Sequence, residues 1–249
     1  MRVCVIIPAA GGGQRFGGDK LAEDLGGSSV LARSIALFRG RADVHAIIVA
    51  GPPEDEAFAR FAHHHRDALA GARTTLVRGG RRERWETVRR ALAALPADCT
   101  HVAVHDAARP AAPTDLIDRV FRAAEQYDAV IPGLAVSATL KRIGDPVAPA
   151  GHGRAAVAPA IETVPRAGLV AVQTPQVFRR ELLVAAYESL DRQGALDGVT
   201  DDAQVVERSG GQVMVVAGDA RNIKMTTPDD LPLLRAIVSA GQASTDSPM

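Results

Sequence analysis

The sequence predicts an α/β fold in which a mainly parallel, Rossmann-like β-sheet carries helices on both faces. Short β-branched runs alternate with stretches of helical periodicity, as in successive strand–helix units. The first run, VCVII at 3–7, is apolar throughout, which is typical of a parallel strand buried on both faces. A glycine-rich segment follows this strand directly, where folds of this class commonly bind ligands.

The next elements follow in a regular order. Strands are predicted at VHAIIVA (44–50), TTLV (74–77), HVAVHDA (101–107) and DAVIP (128–132), with helices over 30–38, 55–69, 83–95 and 113–126. The carboxyl ends of parallel strands lie at one edge of the sheet, and ligands bind outside that edge. One crevice is therefore expected to be lined by the glycine-rich segment, GPP at 51–53, RGG at 78–80 and HDAARP at 105–110.

The pattern changes between residues 135 and 164, where we expect an inserted β-arm. Two short strands, ATLKRI and IETVPR, flank a loop rich in proline, alanine and glycine. An arm of this kind exposes unpaired strand edges, and a second subunit is a natural cover for them.

The α/β pattern then resumes and completes a single domain over residues 1–240. It comprises VAVQTPQVF at 170–178, helices over 180–193 and 201–209, the strand VMVVAG at 213–218 and a helix over 228–240. The last residues, 241–249, are expected to form a disordered tail.

Composition and charge exclude several classes of protein. Lysine plus arginine and aspartate plus glutamate both number 29, so no overall basic field favours nucleic-acid binding, and an anion needs a local cluster of cations. Cys4 and Cys99 lack metal-ligand spacing, which fits a reducing compartment. No signal-peptide pattern and no apolar run of membrane length occurs, so we expect a soluble, cytoplasmic protein without a membrane partner.

The segment PAAGGGQRFGGDK (8–20) fits neither common phosphate-binding template. It lacks the third glycine of the dinucleotide fingerprint and the Gly-Lys-Ser/Thr of the Walker loop. Glycines at 11–13 nevertheless allow backbone N–H groups to approach an anion, and Arg15 and Lys20 add two cations. This combination suits a triphosphate that is attacked at its α-phosphorus. The alternative is a strand-to-helix turn with ordinary surface cations.

HDAARP places His105, Asp106 and Arg109 at the end of a buried strand. Asp106 suits a divalent metal or a ribose hydroxyl, and Arg109 suits a phosphate. Because a single carboxylate is a poor metal site, Mg²⁺ would take most of its ligands from substrate phosphates. A helix N-cap or a buried ion pair explains Asp106 equally well.

A second group of polar and cationic residues lies toward the C-terminus. Arg166 precedes VAVQTPQVF by a few residues, and Lys224 lies in DARNIKMTTPDDL. Cations remote from the glycine-rich loop suggest a second anionic substrate. Alternatively, Lys224 is a solvated charge beside the helix start TTPDDL, and Thr174 is a turn residue before Pro175.

Three further features are given no functional role. HHH at 63–65 lies in an amphipathic helical stretch, where successive side chains diverge and cannot chelate one metal. The basic run at 78–90 contains Glu83 and Glu86 at helical spacing, which favours a solvated helix face over an RNA-binding surface. No serine or cysteine stands in a nucleophile elbow, which argues against covalent hydrolase chemistry.

Seven strings stand in order between residues 8 and 231: PAAGGGQRF, RxxTV at 84–88, VHDAARP, TLKR, VQTPQVF, TDDA and NIKMTTPDDL. Together they resemble the 2-C-methyl-D-erythritol 4-phosphate cytidylyltransferases of the nonmevalonate isoprenoid pathway. The resemblance implies a nucleotidyltransferase-type fold, Mg²⁺ as cofactor and a homodimer joined through the β-arm. It also implies that CTP and methylerythritol 4-phosphate give 4-diphosphocytidyl-methylerythritol and pyrophosphate. A rival on the same scaffold is a cytidylyltransferase for another polyol phosphate, such as ribitol 5-phosphate.

The resemblance also implies a role for each matched residue. Pro8, Ala9, Ala10, Gly11 and Gly13 would line the nucleotide, and Arg15 and Lys20 would stabilise the transition state. Gly80 and Thr87 would belong to the cytosine-recognising segment, and Asp106 and Ala107 would face the ribose and the metal. Arg109 and Thr139 would reach the sugar phosphate from the neighbouring subunit, while Arg166, Thr174 and Lys224 would position it for attack.

Three departures from the family pattern are visible. Leu21 and Ala22 follow Lys20, where the family usually carries glutamine and an aromatic residue. One extra residue separates Gly80 from Thr87, so Arg81, Arg82 and Glu83 are all candidates for the position beside the base. The arm loop at 144–160 is also longer than usual.

Overall fold

A central sheet forms the middle layer of the molecule, as predicted. The computed structural model describes residues 1–11, 16, 18–145 and 157–245. Within these residues the strands are β1 (Val3–Pro8), β2 (Val44–Gly51), β3 (Thr74–Arg78), β4 (His101–Val104), β5 (Ala129–Ala135), β6 (Leu140–Ile143), β7 (Ala160–Val164), β8 (Val170–Val172), β9 (Gln176–Arg179) and β10 (Met214–Ala217). The helices are α1 (Val30–Arg39), α2 (Asp55–His64), α3 (Arg66–Leu69), α4 (Arg84–Leu92), α5 (Thr114–Ala124), α6 (Arg180–Arg192), α7 (Asp202–Arg208) and α8 (Asp230–Thr245).

The sheet is mainly parallel. Its strands lie in the order β10-β5-β9-β4-β1-β2-β3, and β8 pairs with β5 outside this path. The pairs of β1 with β2 and β4, of β2 with β3 and of β5 with β10 are parallel, whereas β8 and β9 run antiparallel to their neighbours. The prediction of a mainly parallel α/β sheet is therefore confirmed.

Helices cover both faces of the sheet because its central strands alternate their apolar side chains between two cores. Along β1, Val3, Val5 and Ile7 join one core, with side chains from α1, α5 and α8. Cys4 and Ile6 join the other, with side chains from α4, α6 and α7. Burial on both faces accounts for the uninterrupted apolar run of the first strand.

The predicted β-arm is present as a separate two-stranded sheet. β6 and β7 pair antiparallel with each other and not with the main sheet. The apolar side chains of Ile143 and Ile161 are 64% and 63% exposed. Most of the predicted long arm loop, at 146–156, lies outside the described residues.

Four local predictions were wrong at their boundaries. The helix expected over 55–69 is two helices, because His65 leaves helical geometry and packs its ring on Phe61. The strand expected through 107 ends at Val104, where the next residues form a turn closed by the bond from the Arg109 amide to the Asp106 carbonyl. VAVQTPQVF forms two strands, β8 and β9, each antiparallel to β5, since the missing N–H of Pro175 interrupts the ladder.

The fourth concerns the C-terminus. α8 continues to Thr245, so the first five residues of the predicted disordered tail are helical. Gln242 and Ala243 favour helix, and no proline intervenes before Pro248. Residues 246–249 lie outside the described part of the chain. Among the residues that are described, no helix has the length and apolar character needed to cross a bilayer.

Candidate active site

A cavity of about 510 Å³ opens at the carboxyl ends of β1, β3 and β4. The residues predicted from the sequence that line it are Pro8, Ala9, Ala10, Gly11, Lys20, Gly80, Thr87, Asp106, Ala107 and Lys224. The loops after three of the four predicted strand ends thus face one crevice. Pro52, from the fourth predicted segment, lines an adjoining cavity instead.

Other predicted site residues lie elsewhere. Arg109 and Thr174 lie behind Asp106. The Arg109 side chain contacts the Asp106 carboxylate, and the Thr174 hydroxyl accepts the Asp106 backbone N–H. Thr139 and Arg166 are exposed at the arm, and an Arg166 guanidinium nitrogen donates to the carbonyl oxygen of Ser137. The participation of Thr139 and Arg166 in a substrate site stays a prediction. Gly13 and Arg15 lie outside the described residues.

Asp106 is the centre of a cluster of cations. Its carboxylate lies 2.9 Å from Nζ of Lys224, 3.3 Å from Nε of Arg109 and 3.5 Å from Nε of Arg84. Burial opposes ionisation of Asp106, but the three cations outweigh it and hold its pKa well below the ordinary value. Asp106 is therefore a carboxylate at neutral pH, and the buried ion pair that the sequence left open is present. Because Asp106 and Lys224 line the cavity, this pair also belongs to the site.

Arg84 links this cluster to the second core. One guanidinium nitrogen of Arg84 lies 2.7 Å from the carboxylate of Asp202, which is fully buried. The Tyr187 hydroxyl donates to the other oxygen of that carboxylate at 2.7 Å. Burial would lower the pKa of Arg84, but Asp202 and Asp106 raise it above its ordinary value, so the guanidinium stays charged. Asp202, at the start of α7, thereby holds the Arg84 guanidinium in the cavity wall.

The loop after β3 has a shape that depends on its two glycines. A Cβ at Gly79 would lie 2.6 Å from Cβ of Ala10 and 2.8 Å from the carbonyl oxygen of Gly51, and a Cβ at Gly80 would lie 2.1 Å from Cβ of Glu86. The Gly80 amide donates to the Thr87 hydroxyl at 3.0 Å. No larger side chain fits here without moving backbone, so the loop lies directly against the glycine-rich segment.

The carboxylate of Glu86 organises the residues that follow. It accepts the backbone N–H groups of Arg81 and Arg82 at 2.8 and 3.2 Å. Arg81, Arg82 and Glu83 all line the cavity, so the candidates that the sequence left open for the position beside a base stay open.

Lys20 is held by contacts distant in sequence. Its Nζ donates to the carbonyl oxygen of Met225 at 3.2 Å, across 205 positions. The next residue, Leu21, is buried in the core, and its amide donates to the Asp19 carboxylate. The pKa of Asp19 is lowered, chiefly by His65, whose Nε2 lies 3.3 Å away. The departure from the family pattern at Leu21 is therefore accommodated by burial.

The donor set decides whether a divalent metal fits this cavity. Within the described residues, no three histidine, cysteine, aspartate or glutamate side chains form a metal-binding group. Asp106 and Glu83 are carboxylates that line the cavity. One or two carboxylates suit Mg²⁺ only when substrate phosphates supply further ligands, so the residues fit the nucleotide-borne metal expected from the sequence.

Sequence reasoning assigned no role to several residues that line the cavity: Phe16, Leu21, Arg84, Ala108 and Thr226. A signal for Arg84 was present, because it opens the RxxTV string, and Asp202 lies in TDDA. The sequence carried no signal that Arg84 and Asp202 form a pair, because 118 positions separate them.

The chain is similar over nearly its whole length to proteins of one family. The family model for 2-C-methyl-D-erythritol 4-phosphate cytidylyltransferase matches residues 3–240. A cytidylyltransferase of that name from Frankia casuarinae is 39% identical, covering 99% of this chain and 85% of that protein. Its counterpart from Streptomyces avermitilis is 37% identical, covering 96% of this chain and 92% of that protein.

Solved structures agree with the sequence comparison. The 2-C-methyl-D-erythritol 4-phosphate cytidylyltransferase of Thermus thermophilus superposes with a TM-score of 0.73 at 34% identity, covering 96% of this chain and 100% of that one. The Francisella tularensis enzyme gives a TM-score of 0.76 at 26% identity, covering 95% and 100%. With its fold, its crevice and these likenesses together, the chain belongs to the 2-C-methyl-D-erythritol 4-phosphate cytidylyltransferase family.

Proposed function

We propose that the crevice beside β1, β3 and β4 is where this chain joins CTP to 2-C-methyl-D-erythritol 4-phosphate. The reaction of its family gives 4-diphosphocytidyl-2-C-methyl-D-erythritol, with pyrophosphate as the other product. The observation that carries the placement is the convergence of the glycine-rich loop, Lys20, Lys224 and Asp106 on one cavity. The alternative polyol substrate, ribitol 5-phosphate, has no support in the comparisons.

The bond changes in this reaction require little proton chemistry. An oxygen of the methylerythritol phosphate attacks the α-phosphorus of CTP in line, the bond from that phosphorus to the bridging oxygen breaks, and pyrophosphate leaves. The attacking phosphate is already an anion near neutral pH, so no strong general base is needed. Catalysis then consists of positioning and charge neutralisation.

On the nucleotide side, the loop after β1 is assigned to the phosphates and the loop after β3 to the base. The backbone of Ala9, Ala10 and Gly11 lines the phosphates, and Lys20 neutralises charge that develops at the α-phosphate. Gly80 and Thr87 hold the base-side wall, which Gly79 keeps close to Ala10. Arg15 and Gly13 are assigned to the same phosphate cradle from the family resemblance.

On the sugar-phosphate side, Lys224 faces the cavity beside Asp106, as Arg84 also does. The Lys224 side chain is 41% exposed, so it can exchange part of its contact with Asp106 for a substrate phosphate. Arg166 is assigned to this substrate from the family resemblance, as are Arg109 and Thr139 of a neighbouring subunit.

Mg²⁺ is proposed as the cofactor. When bound with CTP, it would neutralise phosphate charge and favour departure of pyrophosphate. Asp106 is the residue that would hold it, with the remaining ligands from phosphates and water. The ionised state of Asp106 supports this assignment.

A homodimer joined through the β-arm is also proposed. The exposed apolar side chains Ile143, Val157 and Ile161 lie on the arm, and Leu169, Val170 and Val172 follow it. Apolar area of this kind on a projecting two-stranded sheet favours cover by a second copy. Sedimentation velocity of the intact chain tests this, with a dimer expected and a monomer at micromolar concentration contradicting it.

The cytoplasm is the proposed location, supported by two buried cysteines that form no disulfide. The proposal includes no nucleic-acid or membrane partner, in line with the balanced charge of the sequence.

The test of function is a coupled pyrophosphate assay. The purified chain is supplied with Mg²⁺, one of the four nucleoside triphosphates, and either methylerythritol 4-phosphate or ribitol 5-phosphate. Release of pyrophosphate is expected with CTP and methylerythritol 4-phosphate, and mass spectrometry should identify the diphosphocytidyl product. Turnover with ribitol phosphate alone, or CTP binding without pyrophosphate release, would refute the proposal.

A further inference from the structure

His105 and Thr174 lie directly behind the cavity wall, next to Asp106. His105 is 0% exposed and Thr174 is 5% exposed. Oγ1 of Thr174 accepts the backbone N–H of Asp106 at 3.0 Å and lies 3.2 Å from Nδ1 of His105. Nε2 of His105 lies 3.0 Å from the carbonyl oxygen of Arg109. A continuous chain of hydrogen bonds therefore joins the amide of Asp106 to the carbonyl of Arg109.

The partners fix the direction of each bond. A carbonyl oxygen can only accept, so Nε2 of His105 carries a proton and donates it to Arg109. With that proton on Nε2, the neutral ring keeps a lone pair at Nδ1, which lies 3.2 Å from the Thr174 hydroxyl. That lone pair accepts the Thr174 hydroxyl proton. The hydroxyl is thus occupied as donor by His105 and as acceptor by Asp106.

The main chain of Thr174 reaches the other cation-bearing segment. Its carbonyl oxygen accepts Nδ2 of Asn222 at 2.8 Å, and the Asn222 carbonyl accepts a guanidinium nitrogen of Arg109 at 2.7 Å. Asn222 stands two residues before Lys224, whose ammonium contacts the Asp106 carboxylate. Thr174 therefore ties together the two segments whose charged groups meet in the cavity.

We infer that His105 and Thr174 are positioning residues, which set the place of the Asp106 carboxylate and, through Asn222, of the Lys224 ammonium. Thr174 does not use its hydroxyl to bind the sugar phosphate, which is the role that the family resemblance implied for it. The inference rests on the proposed function, because Asp106 and Lys224 are the groups whose placement it explains.

Steady-state kinetics of four variants test the inference. Thr174→Val removes the hydroxyl at nearly constant volume, Thr174→Ser retains it, and His105→Gln keeps a donor for Arg109 but loses the acceptor for Thr174. We expect Thr174→Val and His105→Gln each to lower kcat/KM roughly 10- to 100-fold, as loss of supporting hydrogen bonds behind a functional group commonly does. Thr174→Ser should stay within about 3-fold of wild type, and the double variant should be no worse than the less active single variant because both changes break one bond.

Direct binding of the sugar phosphate by Thr174 makes a different prediction. Thr174→Val would then raise KM for methylerythritol 4-phosphate alone, and His105→Gln would leave all constants unchanged. That pattern, or multiplicative effects in the double variant, overturns the inference. Urea unfolding of each variant confirms that the assay measures folded protein, and if Thr174→Val does not fold, His105→Gln and Thr174→Ser still distinguish the two roles.

Nitrogen-15 NMR of the histidine rings gives a readout that does not depend on turnover. The His105 signal, assigned by its loss in His105→Gln, should show a proton on Nε2 and none on Nδ1 at neutral pH. A proton on Nδ1 overturns the inference even if the enzyme is active. If wild-type chain releases no pyrophosphate from CTP, the proposed function fails, while this measurement still judges the hydrogen-bond chain.

Discussion

Replacing Asp202 by asparagine should destabilise the folded protein, because it removes one partner of a buried ion pair. The Asp202 carboxylate is fully buried and lies 2.7 Å from a guanidinium nitrogen of Arg84. Loss of one partner from such a pair costs about 3–5 kcal/mol, since the other charge stays buried. Arg84 keeps Asp106 at 3.5 Å, so we expect the lower end, about 3 kcal/mol.

The measurement is the free energy of unfolding from urea denaturation at neutral pH, followed by circular dichroism. Asp191→Asn is the matched control, because it breaks an arginine–aspartate pair with Arg89 of the same 2.7 Å length at the surface. An exposed pair contributes at most about 1 kcal/mol. Tyr187→Phe, which removes only the hydrogen bond to Asp202, should cost about 2 kcal/mol. If Asp202→Asn were no less stable than Asp191→Asn, the buried pair would not stabilise the fold as argued.

Three further predictions concern acid stability, catalysis and assembly. The pKa of His105 is about 4 in the folded chain and near 6.5 in the unfolded chain, so between these values the unfolded state binds the extra proton. The free energy of unfolding should therefore fall by on the order of 3 kcal/mol as the pH drops from 6.5 to 4. In His105→Asn, the free energy of unfolding measured with urea should depend less steeply on pH. An unchanged pH dependence in that variant would contradict the assignment to His105. Lys20→Ala should lower kcat by about 10²-fold or more with the circular dichroism spectrum intact. The control Lys141→Ala, on the arm, should leave kcat unchanged. A folded, active Lys20→Ala enzyme would remove that lysine from the mechanism. Ile161→Lys should convert the proposed dimer to monomer in sedimentation velocity, while Leu233→Lys, an exposed apolar position on α8, should not; a dimer that persists in Ile161→Lys would argue against an interface at the arm.

Local pattern was sufficient for the fold class and for most of the nucleotide-side loops. The alternation of β-branched runs with helical periodicity predicted the strand and helix order, because each element must bury its apolar face against the next. The rule that ligands bind at the carboxyl ends of parallel strands was enough to assign Gly11, Gly80 and Asp106 to one crevice. The boundaries that were wrong depend on local detail that periodicity does not carry: the departure of His65 from helical geometry, the turn after Val104, the proline at 175 and the continuation of α8 to Thr245.

The sequence by itself determined which residues carry charge and which loops they occupy. Only the tertiary structure decided which partners those charged groups contact. Arg84 with Asp202 and Lys20 with Met225 are pairs 118 and 205 positions apart, and periodicity carries no information over such separations. Thr174 shows the same limit, because its string indicated only a turn before Pro175, whereas in the structure its hydroxyl contacts His105 and the Asp106 amide. The physical reason is that burial and hydrogen-bond saturation depend on every segment packed around a group.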